Sequence, residues 1–207
     1  MKEYDVYIFD FDGTICDSKD TLYKVFRDSF AAVNIFDITD EECVEFMHHS
    51  LNETARTKGV KEEDFPIFLK ACLDSINERE TIEKSKTFPE VIEVLENLKK
   101  RGKTLAVASG NTVRHIKDVM EYLAWPDCFS AFMGSDIYEH PKPNPEPIFM
   151  CLDLLGIKPG SNVVYIGDSL QDPLTAKNAG VDGILIDREN EYPEFEGIRI
   201  SSLKDIL

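Results

Sequence analysis

The sequence predicts an α/β fold, a parallel sheet with helices on both faces, interrupted after its first strand by an all-helical insertion. Three observations predict it. Tyr4 to Phe9 (YDVYIF) is a short apolar, aromatic-rich run that ends in Asp-x-Asp-Gly, a strand followed by a turn. From Thr87 onward, short apolar runs alternate with segments of helical periodicity. Between the two, from Asp20 to about Asn77, the pattern is helical throughout and offers no convincing strand.

Each element has its own local reason. In the insertion, Thr39 and Glu42 make a capping-box signature before Val44, Phe46 and Met47, and Gly59 is a plausible stop for the following helix. Thr87 and Glu90 repeat that signature. Val91, Leu95 and Leu98 then recur at helical spacing, and Gly102 closes the helix. Thr104 to Ala108 (TLAVA) reads as a buried strand, and Asn111 or Thr112 can cap the next helix. Phe129 to Met133, Asn162 to Ile166 and Gly183 to Ile186 read as further strands, with helical segments between them. Short connections in this order specify a Rossmann-like parallel sheet built from residues 1–16 and 86–207. Residues 17–85 read as the inserted helical domain, joined near the end of the first strand. An insertion tethered there would sit over the carboxyl edge of the sheet, where open α/β folds bind ligands.

Composition narrows the function. The 207 residues are 43% hydrophobic and 30% charged, as in a soluble globular protein. No run of eighteen apolar residues occurs, and the N-terminus turns acidic too early for a secretory signal, so a cytoplasmic protein that spans no membrane is expected. A formal charge of −16 argues against nucleic acid and anionic membrane as partners. The five cysteines are scattered and odd in number, which points to plain thiols in a reducing compartment.

Four polar features lie at or near strand ends and should converge on one sheet edge. Asp10 and Asp12 flank Phe11, so their side chains point the same way while the chain stays extended, and Gly13 permits the turn. Ser109-Gly110-Asn111 follows TLAVA. Lys142 lies in HPKPNP, where three prolines stiffen its loop. Asp168 and Asp172 follow NVVYIG. Singly, these would read as an acidic turn, a turn serine, a solvated lysine and a helix cap. Together they contain the parts needed for phosphoryl transfer.

With these motifs in hand, the sequence resembles the haloacid dehalogenase-like hydrolases, specifically their phosphoglycolate phosphatase-like branch. The resemblance runs through DFDGTICDS, a helical cap, ASGNT, HPKPNPEPIF and YIGDSLQDPLTAKNAG. It implies a nucleophile at Asp10, a general acid/base at Asp12, and phosphate-binding groups at Ser109 and Lys142. It further implies Mg²⁺ held by Asp10, Asp168 and the backbone carbonyl of Asp12, with Asp172 in an outer position. The charges agree. Four carboxylates are balanced by one Mg²⁺, Lys142 and a proton on Asp12, so the site is near neutral in an acidic protein.

The expected activity is hydrolysis of a small phosphorylated metabolite through an aspartyl-phosphate. A sugar-phosphate mutase uses the same four motifs and is the alternative within the family. A halide-releasing dehalogenase fits less well, because Asp12 suits an alcohol leaving group. A phosphonate hydrolase would need a Schiff-base lysine, for which Lys58 and Lys61 are available. A phosphoaccepting signalling module would use similar residues but lacks a helical insert. Substrate specificity is expected from His48, His49, Asn52 and Arg56 in the insertion, with Asn111 beside Ser109. Asn52 and Arg56 share a helix face at i, i+4. The branch usually carries a glycine where His48-His49-Ser50 stands. The substrate therefore stays open among phosphoglycolate, a nucleotide, a sugar phosphate and pyrophosphate, as does the oligomeric state.

Overall fold

A computed structural model describes every residue except His48. In chain order the elements are β1 (Val6–Phe9), β2 (Cys16–Asp17), α1 (Lys19–Ala31), α2 (Asp40–Met47), α3 (Leu51–Thr57), α4 (Phe65–Ile76) and α5 (Arg79–Ile82). Then come β3 (Lys86–Thr87), α6 (Val91–Lys100), β4 (Thr104–Ala108), α7 (Val113–Tyr122), β5 (Ala131–Met133) and α8 (Glu146–Leu155). The chain finishes with β6 (Val163–Gly167), α9 (Gln171–Ala179), β7 (Asp182–Ile186), β8 (Ile198–Ile200) and a 3₁₀ turn at Leu203–Ile206. It divides into two compact units, one of Met1–Asp17 with Lys86–Leu207 and one of Ser18–Ser85.

The first unit holds a parallel sheet in the order β5-β4-β1-β6-β7-β8. Every side chain of β1 and β6 is buried, as expected of central strands covered on both faces. The chain first builds outward from β1 through β4 to β5, then returns to the other side of β1 with β6. The order reverses between β1 and β6, which makes their carboxyl ends the topological switch point. Among the covering helices, α6 buries Val91, Val94, Leu95 and Leu98, each burial contributing about 1.5–3 kcal/mol. That stripe follows the periodicity of the sequence.

The start of α6 departs from expectation. Thr87 lies in β3, and its hydroxyl accepts from the Trp125 indole at 2.6 Å. Glu90 flanks the first turn without a side-chain cap and spends its carboxylate on Arg188. Of the two candidates to cap α7, it is Thr112 whose hydroxyl accepts from the His115 amide. The short antiparallel ribbon of β2 and β3 was not legible, because two-residue strands carry no periodicity. The edge strand β8 also went unread.

The helical unit packs α1, α2, α3 and α4 around Phe26, Phe30, Phe46 and Phe68, and the rings of Phe30 and Phe68 lie 4.9 Å apart. Thr39 and Glu42 form the anticipated capping box at the start of α2. A second one, Ser50 with Glu53, opens α3. No helix among the described residues is long and apolar enough to cross a membrane.

Candidate active site

The sheet delivers its polar residues to one edge. Asp10 follows β1, Ser109 follows β4 and Asp168 follows β6, three strands that are neighbours in the sheet. The Asp10 amide still bonds the Ile166 carbonyl at 2.8 Å, so the β1–β6 ladder runs into the site. Beyond it the chain folds back tightly, with the Ile15 and Cys16 amides both donating to the Phe11 carbonyl at 3.0 and 2.9 Å. Gly13 takes φ +65° in this turn, and a Cβ there would lie 1.8 Å from Oδ2 of Asp168. Only glycine lets the loop approach Asp168 this closely.

Lys142 ties the acids together. Its ammonium donates to Asp10 Oδ2 and Asp172 Oδ1, both at 2.7 Å, and it lies 5.9 Å from the Tyr165 ring centre. The loop that presents it is braced by Glu146, whose carboxylate accepts from the Glu139 and His140 amides. Asn178 donates to the Pro143 carbonyl at 2.9 Å. Asp172 is fully buried, and its Oδ2 accepts from the amide and hydroxyl of Ser169, both at 2.9 Å. With Oδ1 on Lys142 and Oδ2 on Ser169, Asp172 is engaged in orienting the lysine and the β6–α9 loop. A Cβ on Gly167 would lie 2.2 Å from this carboxyl, so the strand end admits only glycine there.

Carboxylate oxygens of Asp10, Asp168 and Asp172 lie within 4.8 Å of one another. Burial, outweighing the opposing pull of Lys142 and helped by repulsion from Asp172, pushes the Asp10 carboxyl up to about 6. Burial, with repulsion from Asp10 and Asp172, also lifts Asp168 well above the usual range. For Lys142, burial acts downward, but Asp10 and Asp172 hold the ammonium charged far above its ordinary value. Repelling carboxylates crowded this closely, all with oxygen donors, suit a hard divalent cation.

Ser109 is buried, and its Oγ accepts from the Asn111 amide at 3.2 Å. The Tyr138 hydroxyl fixes its backbone by donating to the Ser109 carbonyl at 3.0 Å. Asn111 turns its side-chain amide onto Oδ2 of Asp12. The structure thus brings Asp10, Lys142, Asp168 and Asp172 together directly, and joins Asn111 both to Asp12 and to Ser109.

The sequence pattern of the haloacid dehalogenase-like hydrolases matches residues 7–186. The chain belongs to this family. Its sequence relatives include phosphoglycolate phosphatases. One from Aquifex aeolicus is 25% identical over 210 residues, covering 98% of this chain and 96% of that protein. Another, from Psychrobacter arcticus, is 33% identical over 99 residues, 48% of this chain and less than half (43%) of the relative. Among solved structures, a Bacteroides fragilis protein described as a haloacid dehalogenase-like hydrolase matches with a TM-score of 0.88 at 26% identity, over 99% of this chain and 100% of that one.

For a haloacid dehalogenase-like hydrolase, the remaining candidates lie in the helical unit. His48 falls outside the described residues. His49 is exposed and donates its amide to the Phe46 carbonyl, and Asn52 and Arg56 stand exposed on α3. Glu53 directs its carboxylate to Ser50. Lys58 pairs with Glu42 at 2.7 Å, and that bond raises its ammonium above the usual value. A Schiff-base lysine needs the opposite shift. Lys61 is exposed, 3.9 Å from Glu63. Sequence reasoning missed Ser169 and Tyr138 as supports of the site. Ser169 stood between two motif acids and was open to inspection; Tyr138 carried no local signal.

Proposed function

We propose that this hydrolase is a Mg²⁺-dependent phosphatase that cleaves a small phosphorylated metabolite through an aspartyl-phosphate on Asp10. The observation that carries the reading is the Asp10–Lys142–Asp172 bridge beside Asp168 at the switch point of the sheet. In this reading the carboxylates of Asp10 and Asp168 and the backbone carbonyl of Asp12 hold the cation. When bound, Mg²⁺ supplies positive charge that lets an anionic nucleophile meet a phosphate dianion.

The protein's own groups perform the steps. An Asp10 carboxylate oxygen attacks phosphorus while the bond to the leaving oxygen breaks. Asp12 gives its proton to that departing alkoxide, and the alcohol leaves. Asp12, now a carboxylate, takes a proton from the water that attacks phosphorus. The Asp10–phosphorus bond breaks, releasing inorganic phosphate and restoring both acids. Ser109 donates its hydroxyl to a phosphate oxygen, while Lys142 neutralises charge beside Asp10. The names of the relatives put phosphoglycolate first among substrates to test, and a relative from Caldanaerobacter subterraneus named for pyrophosphatase activity adds pyrophosphate.

The test is turnover of nitrophenyl phosphate and a panel of phosphorylated metabolites, with Mg²⁺ and with excess chelator. Asp10→Asn is expected to lower turnover by at least about three orders of magnitude, since an amide is no nucleophile here. Acid-quenched protein should carry phosphate on Asp10. Full turnover in verified metal-free protein would remove the Mg²⁺ assignment, and full activity of Asp10→Asn would remove the nucleophile.

A further inference from the structure

Side chains alone do not fix the site. The backbone of the Asp10–Thr14 loop must also hold still, because Asp12 sits one residue from Gly13 and Gly13 presses on Asp168. Arg188, which follows β7 by two residues, reaches this backbone. Its Nη2 donates to the Thr14 carbonyl at 2.9 Å and its Nε to the Gly13 carbonyl at 3.3 Å. The third nitrogen, Nη1, pairs with Glu90 at 2.5 Å. The guanidinium also lies 3.7 Å over the ring of Phe88. Glu90 is buried and also accepts from the Leu203 amide at 3.5 Å.

The planar fork therefore spans two separate stretches of chain. One is the turn that leaves β1, the other is the segment that follows β3. Phe88 below and Glu90 at the edge leave the fork one orientation, in which its other two nitrogens face the carbonyls of the turn. A lysine offers one nitrogen on a flexible stem and cannot reproduce this arrangement.

We infer that Arg188 is a positioning residue that fixes the Asp10–Thr14 turn, and thereby Asp12, against the end of β6. The inference rests on the phosphatase reading for its effect on rate, though its effect on the turn is independent of that reading. Arg188 touches no reacting atom. Losing it should lower kcat, because Asp12 acts only in the transition states, and leave KM nearly unchanged.

The experiment compares wild type, Glu90→Gln, Arg188→Lys and the double variant Arg188→Met/Glu90→Gln. Three quantities are measured: kcat and KM for nitrophenyl phosphate with Mg²⁺, the melting temperature, and amide hydrogen exchange of residues 11–16. Glu90→Gln keeps both carbonyl bonds, so its kcat should stay within about threefold of wild type even if it melts lower. The double variant buries no unpaired charge and should melt close to Glu90→Gln. Its kcat should nevertheless fall at least about tenfold, with KM within about threefold and faster exchange at Gly13, Ile15 and Cys16. Arg188→Lys should fall between, with little change in melting. If the double variant matches Glu90→Gln in both kcat and exchange, the inference is overturned. Should that variant fail to fold, Arg188→Lys with wild-type kcat and exchange overturns it equally. Wild-type protein inactive on every phosphate ester would overturn the phosphatase reading alone, and the exchange data would still decide the role of Arg188.

Discussion

Lys142 shows how one residue can answer the charge problem of the whole site. It is the cation bonded to both Asp10 and Asp172, and the two acids together keep it charged. In the proposed phosphatase, Lys142→Ala would leave Asp10 facing the incoming phosphate with one cation fewer, which should raise the barrier by about 3–5 kcal/mol. Ser109→Ala should cost less, because it removes a neutral donor. Near-normal kcat/KM in Lys142→Ala would withdraw the lysine from the site. Asp12 allows a sharper test. In Asp12→Asn, the first step should survive better with nitrophenolate as leaving group than with an alkyl alcohol, since nitrophenolate needs no proton. Equal single-turnover losses for both substrates would count against Asp12 as the acid. The meeting of Asp10, Lys142, Asp168 and Asp172 could be read in advance, because Asp10 and Asp168 directly follow strand ends and Lys142 and Asp172 lie in the segments that come after strands. The bonds of Asn111 to Asp12 and of Arg188 to the turn could not. Each depends on where two distant stretches of chain meet, and neither leaves a local pattern.

At the scale of elements, legibility followed length and periodicity. TLAVA was read to the residue, because a β-branched Thr104 followed by four consecutive apolar positions and bounded by polar ones admits few alternatives. The same capping signature succeeded at Thr39 and failed at Thr87. Both have an acid three residues on, but Thr87 is committed to β3 and to Trp125, and Glu90 to Arg188. Tertiary partners outbid the local cap. Helix α3 opens with a second intact box, Ser50 with Glu53, so Ser50→Ala should destabilise the protein by about 1 kcal/mol, seen as a lower melting temperature. The same helix carries Asn52 and Arg56. If the insertion sets specificity as its sequence suggests, then His48→Ala, His49→Ala, Asn52→Ala and Arg56→Ala will alter kcat/KM on the best metabolite more than on nitrophenyl phosphate. Ratios within about twofold for all four, under ~0.5 kcal/mol each, would place the specificity residues elsewhere.

The whole molecule carries a formal charge of −16, yet it buries Asp10 and Asp172, with the half-buried Lys142 bonded to both and Asp168 beside them. This arrangement gives folding a pH dependence of definite sign. Asp10 rises to about 6 and Asp168 rises well above its usual value, so the folded metal-free protein holds protons that the unfolded chain releases. The stability linked to these two acids is therefore present below the unfolded carboxylate value, about 4, and is lost as pH climbs through the folded values. Lys142 shifts upward and titrates above this window, so it does not reverse the trend. The acids held low by arginine and backbone donors, such as Asp187, act only at the acid end. Between about pH 5 and 8 the metal-free protein should lose melting temperature from the cluster. A divalent cation held there, as proposed, would displace those protons and bind only the folded cluster, so its stabilisation should grow over the same range. The measurement is melting temperature at pH 5 and pH 8, with chelator and with excess Mg²⁺, for wild type and Asp168→Asn. Wild type should gain more from Mg²⁺ at pH 8 than at pH 5. In Asp168→Asn, where one of the repelling charges is gone, the metal-free pH slope should flatten and the Mg²⁺ gain should shrink at both values. Equal Mg²⁺ gains at the two pH values in wild type would mean that the buried acids do not take up the cation, and the metal would have to be sought elsewhere.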